Sequence, residues 1–194
     1  MPTIPDHSPI DASAAVHAWP GTAKAFHWAT ALLVLAQLPL GWVAKLWPLS
    51  PLKLDLFVWH KSIGFTILLV VLLRAAYRSA AARPPWTAGM TPWQLATARS
   101  VHALLYGVLI AMPISGWVVS SASRVPFEIF WRIPVPAIAP HDKALEQIAA
   151  RVHFSLFVAL CVLLLLHIGA ALWHHFAKRD ETLVRMLPGR RSPS

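Results

Sequence analysis

The chain has 194 residues, 57% of them hydrophobic and only 13% charged, with a formal net charge of +9. A soluble domain carries about 25% charged residues, so the composition excludes an ordinary water-soluble globule. The lysines and arginines are spread along the chain instead of gathered in one arm. That argues against nucleic-acid binding and fits loops that meet anionic lipid headgroups.

Residues 1–20 are polar, rich in proline and alanine, and weakly acidic. They read as a mobile N-terminal tail with no signal peptide. The first span is predicted over about 25–46, because Ala25–Ala44 is free of charge between Lys24 and Lys45. Crossing a hydrocarbon core takes roughly 20 residues of helix. The second span, about 56–78, is built on the short block Ser62–Leu73. Lys61 and Arg74 flank that block, and their stems can run along the lipid and carry the charges to the interface.

The loop Arg78–Arg99, with Pro84, Pro85, Gly89 and Pro92, is a strong break. The third span follows over about 98–121, within the charge-free block Ser100–Ser123. Pro39 and Pro113 lie inside spans and read as local kinks that serve packing. The long loop Arg124–Ala150 contains Phe127–Ile133, whose mixed aromatic and charged side chains suit a segment lying in the membrane interface. The fourth span is predicted over about 149–177, and Cys161, the single cysteine, lies in its middle. The domain organisation is therefore a tail (1–20), a four-helix transmembrane domain (21–187) and a short basic C-terminal tail (188–194). The fold class is an all-α membrane protein, a four-transmembrane-helix bundle.

Four spans put both termini on one side. Ten basic residues fall there: Lys24, Arg74, Arg78, Arg83, Arg99, Lys178, Arg179, Arg185, Arg190 and Arg191. Seven fall on the other side: Lys45, Lys53, Lys61, Arg124, Arg132, Lys143 and Arg151. The bias favours cytoplasmic termini, with the far side periplasmic in a Gram-negative bacterium.

Ligating residues inside a span are functional candidates. His27 opens the first span and His102 the third, both on the termini side, while His60 opens the second and His153 the fourth on the far side. His167 lies deeper in the fourth span, 14 residues beyond His153. That spacing is about 21 Å along a helix and nearly four whole turns, so both imidazoles project from one face. Depth pairs His27 with His167 and His60 with His153. Two imidazoles facing each other across a bundle, twice over, suit two haems with histidine on both faces. Gly64 and Gly169 fit the scheme by allowing close approach of a flat group or a helix. His102 is one histidine too many for this arrangement. It reads as a neighbour of the termini-side site that hydrogen-bonds a propionate or a quinone, or as a competitor for that site. His174 and His175 read as interfacial anchors, and His7, His17 and His141 as tail or loop residues.

The order and spacing of several short pieces resemble the prokaryotic cytochrome b561 family, four-helix membrane cytochromes with two haems. The pieces are Phe26-His27-Trp28, His60-Lys61-Ser62-Ile63-Gly64, and His102-Ala103-Leu104-Leu105-Tyr106 with Met112-Pro113-Ile114-Ser115-Gly116. Arg151-Val152-His153, Leu166-His167, His174-His175-Phe176 and Asp180 to Pro188 complete the set. The resemblance covers about Lys24 to Arg191. It implies two haem b, with His27, His60, His153 and His167 as axial ligands to the haem iron and Lys61 and Arg151 close to the far-side group. The terminal motif looks most like the superoxide oxidase type, which implies superoxide as a periplasmic donor, ubiquinone as acceptor and a location in the bacterial inner membrane. On the far face, seven cations stand against Asp55, Glu128, Asp142 and Glu146, a field that suits an anionic substrate or haem propionates.

Two other functions compete. One is an electron-transfer cytochrome b subunit of a larger respiratory complex of the hydrogenase or formate dehydrogenase type, with a partner redox subunit. The other is a haem-free metal or proton transporter. The latter would be expected to place acidic residues within its spans, and the three charge-free blocks contain none.

Overall fold

The computed structural model describes residues 18–81, 84–86 and 89–189. Most of the predicted N-terminal tail, His7, His17, Arg83, Arg190 and Arg191 lie outside the described residues. Four helices are long and apolar enough to cross a membrane. They are α1 (Gly21–Leu46), α2 (Pro51–Ala80), α3 (Pro92–Ala122) and α4 (Lys143–Trp173).

Each helix starts earlier than hydropathy predicts, and in α2, α3 and α4 polar caps carry the backbone past the apolar block. Pro51 and Pro92 occupy first-turn positions, where a missing N–H costs nothing. Ser50 Oγ accepts from Lys53 N, and Gln94 Oε1 accepts from Thr91 N. Asp142 accepts from the N–H groups of Ala144 and Leu145 and opens α4 well before its apolar stretch. At its other end α4 passes into a π-helical turn, His174–Lys178, and stops at Arg179 in the left-handed region (φ 55°).

The chain folds as two antiparallel helix pairs, α1 with α2 and α3 with α4, joined by contact between α2 and α3. A thin core of Val34, Ile67, Val71, Leu105, Leu160 and Leu163 holds the pairs together. The outer faces carry Leu32, Leu69, Leu104 and Leu165, all exposed. Lipid tails solvate such side chains as well as a core would, so close contact between helices does the holding.

The segment predicted to lie in the interface is a two-stranded hairpin, β1 (Glu128–Ile129) against β2 (Ile133–Pro134). Phe130 and Trp131 take positive φ at its tip, and both rings pack edge-on against Trp59 of α2. Ser62 Oγ, fully buried, accepts from Phe130 N at 2.8 Å and ties the tip to α2.

The termini side is closed by the C-terminal segment. Trp28 Nε1 donates to Met186 O, Trp19 N to Arg185 O, and the buried Arg185 to Pro85 O. His174 is a correction to its reading as an interfacial anchor. It is buried and hydrogen-bonded to Asp180, whose other oxygen accepts from Thr182 N. His141 is likewise no idle loop residue, since its Nδ1 bonds Ala122 O at 2.6 Å.

Burial pulls the Asp180 carboxyl upward, but hydrogen bonds from His174 and Thr182 outweigh it and hold the group below its ordinary value. A carboxylate depressed in this way stabilises the fold above its ordinary pKa of about 4 and loses that contribution as pH falls through the lower folded value. Asp180→Ala leaves buried His174 without its partner, a loss of about 1–3 kcal/mol. Hydrogen exchange at neutral pH should show residues 180–187 loosened in this variant while α1–α4 keep their protection. Unchanged exchange there would remove Asp180 from the closure.

Candidate haem sites

The site is built from five histidines that the four helices bring to two depths. On the termini side, His27 of α1 faces His167 of α4 with ring centres 6.2 Å apart and planes at 81°. On the far side, His60 of α2 faces His153 of α4 with centres 6.2 Å apart and planes at 79°. His102 of α3 lies against His167 at 5.3 Å. The pairs proposed from depth alone are thus brought opposite each other across the bundle, with their ring planes nearly perpendicular.

The separation carries chemical content. A metal–imidazole bond of about 2.0–2.1 Å, plus about 1.1 Å from nitrogen to ring centre, puts two rings about 6.2 Å apart across one metal. Both cross-bundle pairs have that spacing, and His102 with His167 is too close for it. Two protein nitrogens are too few for a bare ion. Among the described residues no group of three or more His, Cys, Asp or Glu is arranged to hold one. A macrocycle supplies four more nitrogens, so the donor set fits a haem iron.

Glycines shape the far-side pair. A Cβ on Gly41 of α1 would lie 2.6 Å from Cε1 of His60, and one on Gly116 of α3 would lie 3.2 Å from Cε1 of His153. Each far-side imidazole therefore lies against the bare backbone of its hairpin neighbour. The sequence reading did not single out Gly41, and it quoted Gly116 only as part of the piece Met112 to Gly116, without the role beside His153. It named Gly64 and Gly169 for the close approach of a flat group or a helix, and at Gly64 the α1 side chain of Gln37 does approach closely. Gly64 packs on Gln37, and a Cβ on Gly169 would meet open space, so neither touches a histidine.

The outer nitrogens differ between sites. His153 Nδ1 is 3.0 Å from both Met112 O and Ser115 Oγ. His27 Nδ1 is 3.2 Å from Nη2 of Arg74, whose guanidinium lies over the Tyr106 ring. His60 Nδ1, His102 Nδ1, Tyr106 Oη and Gln37 Oε1 are buried with no hydrogen-bond partner among the described residues. Unmet polar atoms facing a bundle interior fit a site made for a further group. Arg74, Tyr106 and Ser115 were not singled out in the sequence as parts of a site, because nothing in their spacing places them beside a histidine. Of the two cations expected near the far-side group, Lys61 turns its ammonium over the Phe127 ring, 5.6 Å from its centre, and Arg151 is exposed.

The family model described as prokaryotic cytochrome b561 matches residues 18–189. The chain belongs to the prokaryotic cytochrome b561 family. It is 34% identical to "Cytochrome b561 homolog 2" of Escherichia coli (strain K12) over 169 residues, 84% of this chain and 87% of that one. It is 26% identical to "Cytochrome b561 homolog 1" of the same organism, covering 85% and 94%. It is 28% identical over 132 residues to "Probable superoxide oxidase CybB" of Yersinia pestis, covering 68% and 74%. The protein is a multi-pass membrane cytochrome, and membership implies b-type haem and electron transfer.

The close approach at Gly41 gives a direct test. Gly41→Ala puts a methyl group into the His60 ring, whereas Gly116→Ala asks His153 to yield only a few tenths of an ångström. Haem content per chain, measured by pyridine haemochrome on purified protein, should fall clearly in Gly41→Ala and little in Gly116→Ala. Equal, full content in both would show that the cradle is not needed.

Proposed function

We propose that the protein holds two haem b and passes electrons from a donor on the far side, best matched by superoxide, to ubiquinone. The observation that carries the reading is the pair of facing imidazoles at 6.2 Å, repeated at two depths. His27 with His167, and His60 with His153, are the residues that would hold the iron of each haem. When bound, a b-type haem supplies a one-electron iron couple. With two histidines holding it, such an iron would carry electrons and would have no open position for O₂.

The chain's own residues supply the rest. The apolar helices exclude water around the ring pairs, and Gly41 and Gly116 make room for the far-side imidazoles. Lys45, Lys53, Lys61, Arg124, Arg132, Lys143 and Arg151 make the far face attractive to a small anion. Lys53 also donates to Lys45 O and Trp47 O, so it holds the α1–α2 turn as well as contributing charge. The balanced reaction takes two superoxide ions, one ubiquinone and two protons to two O₂ and one ubiquinol. The basic residue count favours termini in the cytoplasm and the far face in the periplasm, in the bacterial inner membrane. Support for superoxide comes from the far-face charge and from likeness to a relative whose name carries that activity.

His153→Ala should remove one haem and leave the spectrum of the other, read from reduced-minus-oxidised spectra with a haem:protein ratio. A complete dihaem spectrum in that variant would refute the ligand assignment.

The donor is tested separately. Superoxide should reduce the purified protein faster as salt falls, because a Debye length of about 8 Å at physiological ionic strength shortens steering. Exposed Arg132, which takes no part in the ring pairs, is the residue to reverse, and Arg132→Glu should slow the reaction and flatten its salt dependence. If superoxide fails while a soluble redox partner reduces the protein promptly, the protein is an electron-transfer subunit of a larger complex.

A further inference from the structure

His27 and His153 hold their outer ring nitrogens in opposite electrostatic surroundings. Arg74 reaches into the bundle from α2, with Nη2 3.2 Å from His27 Nδ1 and its guanidinium carbon 5.5 Å from the Tyr106 ring centre. Among the described residues the ion pairs are Lys143 with Glu146 and His174 with Asp180, so no carboxylate neutralises Arg74. On the other side His153 Nδ1 faces two oxygens, Met112 O and Ser115 Oγ, each at 3.0 Å. The Ser115 hydroxyl gives its own hydrogen to Met112 O at 2.7 Å. Toward His153 it therefore presents a lone pair, and the histidine N–H is the donor.

The far side has cations too, and Lys61, half-buried next to His60, is near enough for its charge to act on that ring, but among the described residues none of them is hydrogen-bonded to a proposed ligand. Lys61 stands over Phe127, Lys45 over Trp42 and Phe154, and Arg151 is exposed. Among the described residues Arg74 is the lysine or arginine within hydrogen-bond distance of a proposed ligand's ring.

We propose that Arg74 and Ser115 set a redox slope across the bilayer. Arg74 raises the couple held by His27 and His167, and the Met112–Ser115 acceptors lower the couple held by His60 and His153. An electron delivered on the far side then runs downhill toward the termini side. This rests on the four axial histidines assigned above. Arg74 and Ser115 are positioning residues, acting through His27 and His153.

The physics is one of charge. Oxidised iron carries one more positive charge than reduced iron, so a fixed cation nearby favours the reduced form, most strongly where the dielectric is low. A carbonyl or hydroxyl that accepts from a ligating imidazole makes the ligand more basic and favours the oxidised form. A histidine bound through Nε2 keeps its proton on Nδ1, so Arg74 then stands beside His27 as a charge and not as a donor. The effect needs only that charge. In the transfer one electron moves, the far-side iron going from ferrous to ferric and the termini-side iron from ferric to ferrous. No proton is exchanged.

The test is a potentiometric titration of the purified holoprotein followed in the visible spectrum. Wild type should show two waves, and His153→Ala should keep only the upper one. Arg74→Gln should lower the upper wave and leave the lower in place, while Arg74→Lys, which keeps the charge, should stay near wild type. Ser115→Ala should raise the lower wave. Retention of the lower wave in His153→Ala overturns the proposal, as does an upper wave unmoved by Arg74→Gln. Should Arg74→Gln fail to assemble, Ser115→Ala and the His153→Ala wave order decide it alone. A wild type with one haem would instead overturn the ligand assignment beneath it.

Discussion

The bundle is organised by two distances across it. Both cross-bundle histidine pairs keep their ring centres 6.2 Å apart, far enough for one metal between them and too far for direct hydrogen bonding. That spacing fixes how closely α4 approaches α1 on one side of the membrane and α2 on the other. It also explains why the apolar core is thin. Helices whose facing rings stand 6.2 Å apart at two depths cannot interdigitate along their whole length, and the buried apolar packing is gathered in Val34, Ile67, Val71, Leu105, Leu160 and Leu163. Tight packing within each hairpin offsets the loss.

The far-side arrangement repeats a single device. In each hairpin one helix contributes a histidine and the other a glycine that lets the ring lie on bare backbone: His60 on Gly41, His153 on Gly116. Substitution on the first hairpin is the less forgiving, because the gap there is the smaller. The termini side uses a different device, with Arg74, Tyr106 and His102 gathered around His27 and His167. The two ends of the molecule are thus chemically unlike.

The polar ends hold the apolar middle in register. Ser62 fastens the β-hairpin to α2 on the far side, and Asp180, Arg185 and Trp28 fasten the C-terminal segment over α1 on the other. Inside hydrocarbon a helix can slide along its neighbour at little cost. These hydrogen bonds lie where water thins and exchange of partners is expensive.

Much of this was legible in the sequence. Charge-free blocks of membrane length determine four spans, because a backbone in hydrocarbon must satisfy its own hydrogen bonds and a helix does so. The 14 residues between His153 and His167 determine that one face of α4 carries two imidazoles at two depths, since helical periodicity is fixed. Their partners followed from depth, because spans of similar length align their ends with the same two surfaces. Only the tertiary structure decided azimuth: which side chains on neighbouring helices turn toward those rings. Rotating α1, α2 or α3 about its axis leaves hydropathy unchanged, yet it determines whether Gly41 or Gly64 meets His60, and whether Arg74 points to lipid or to His27. That choice rests on contacts between helices far apart in the chain. The same holds for His174, an apparent surface residue by sequence, which a left-handed turn at Arg179 folds back onto Asp180 and buries.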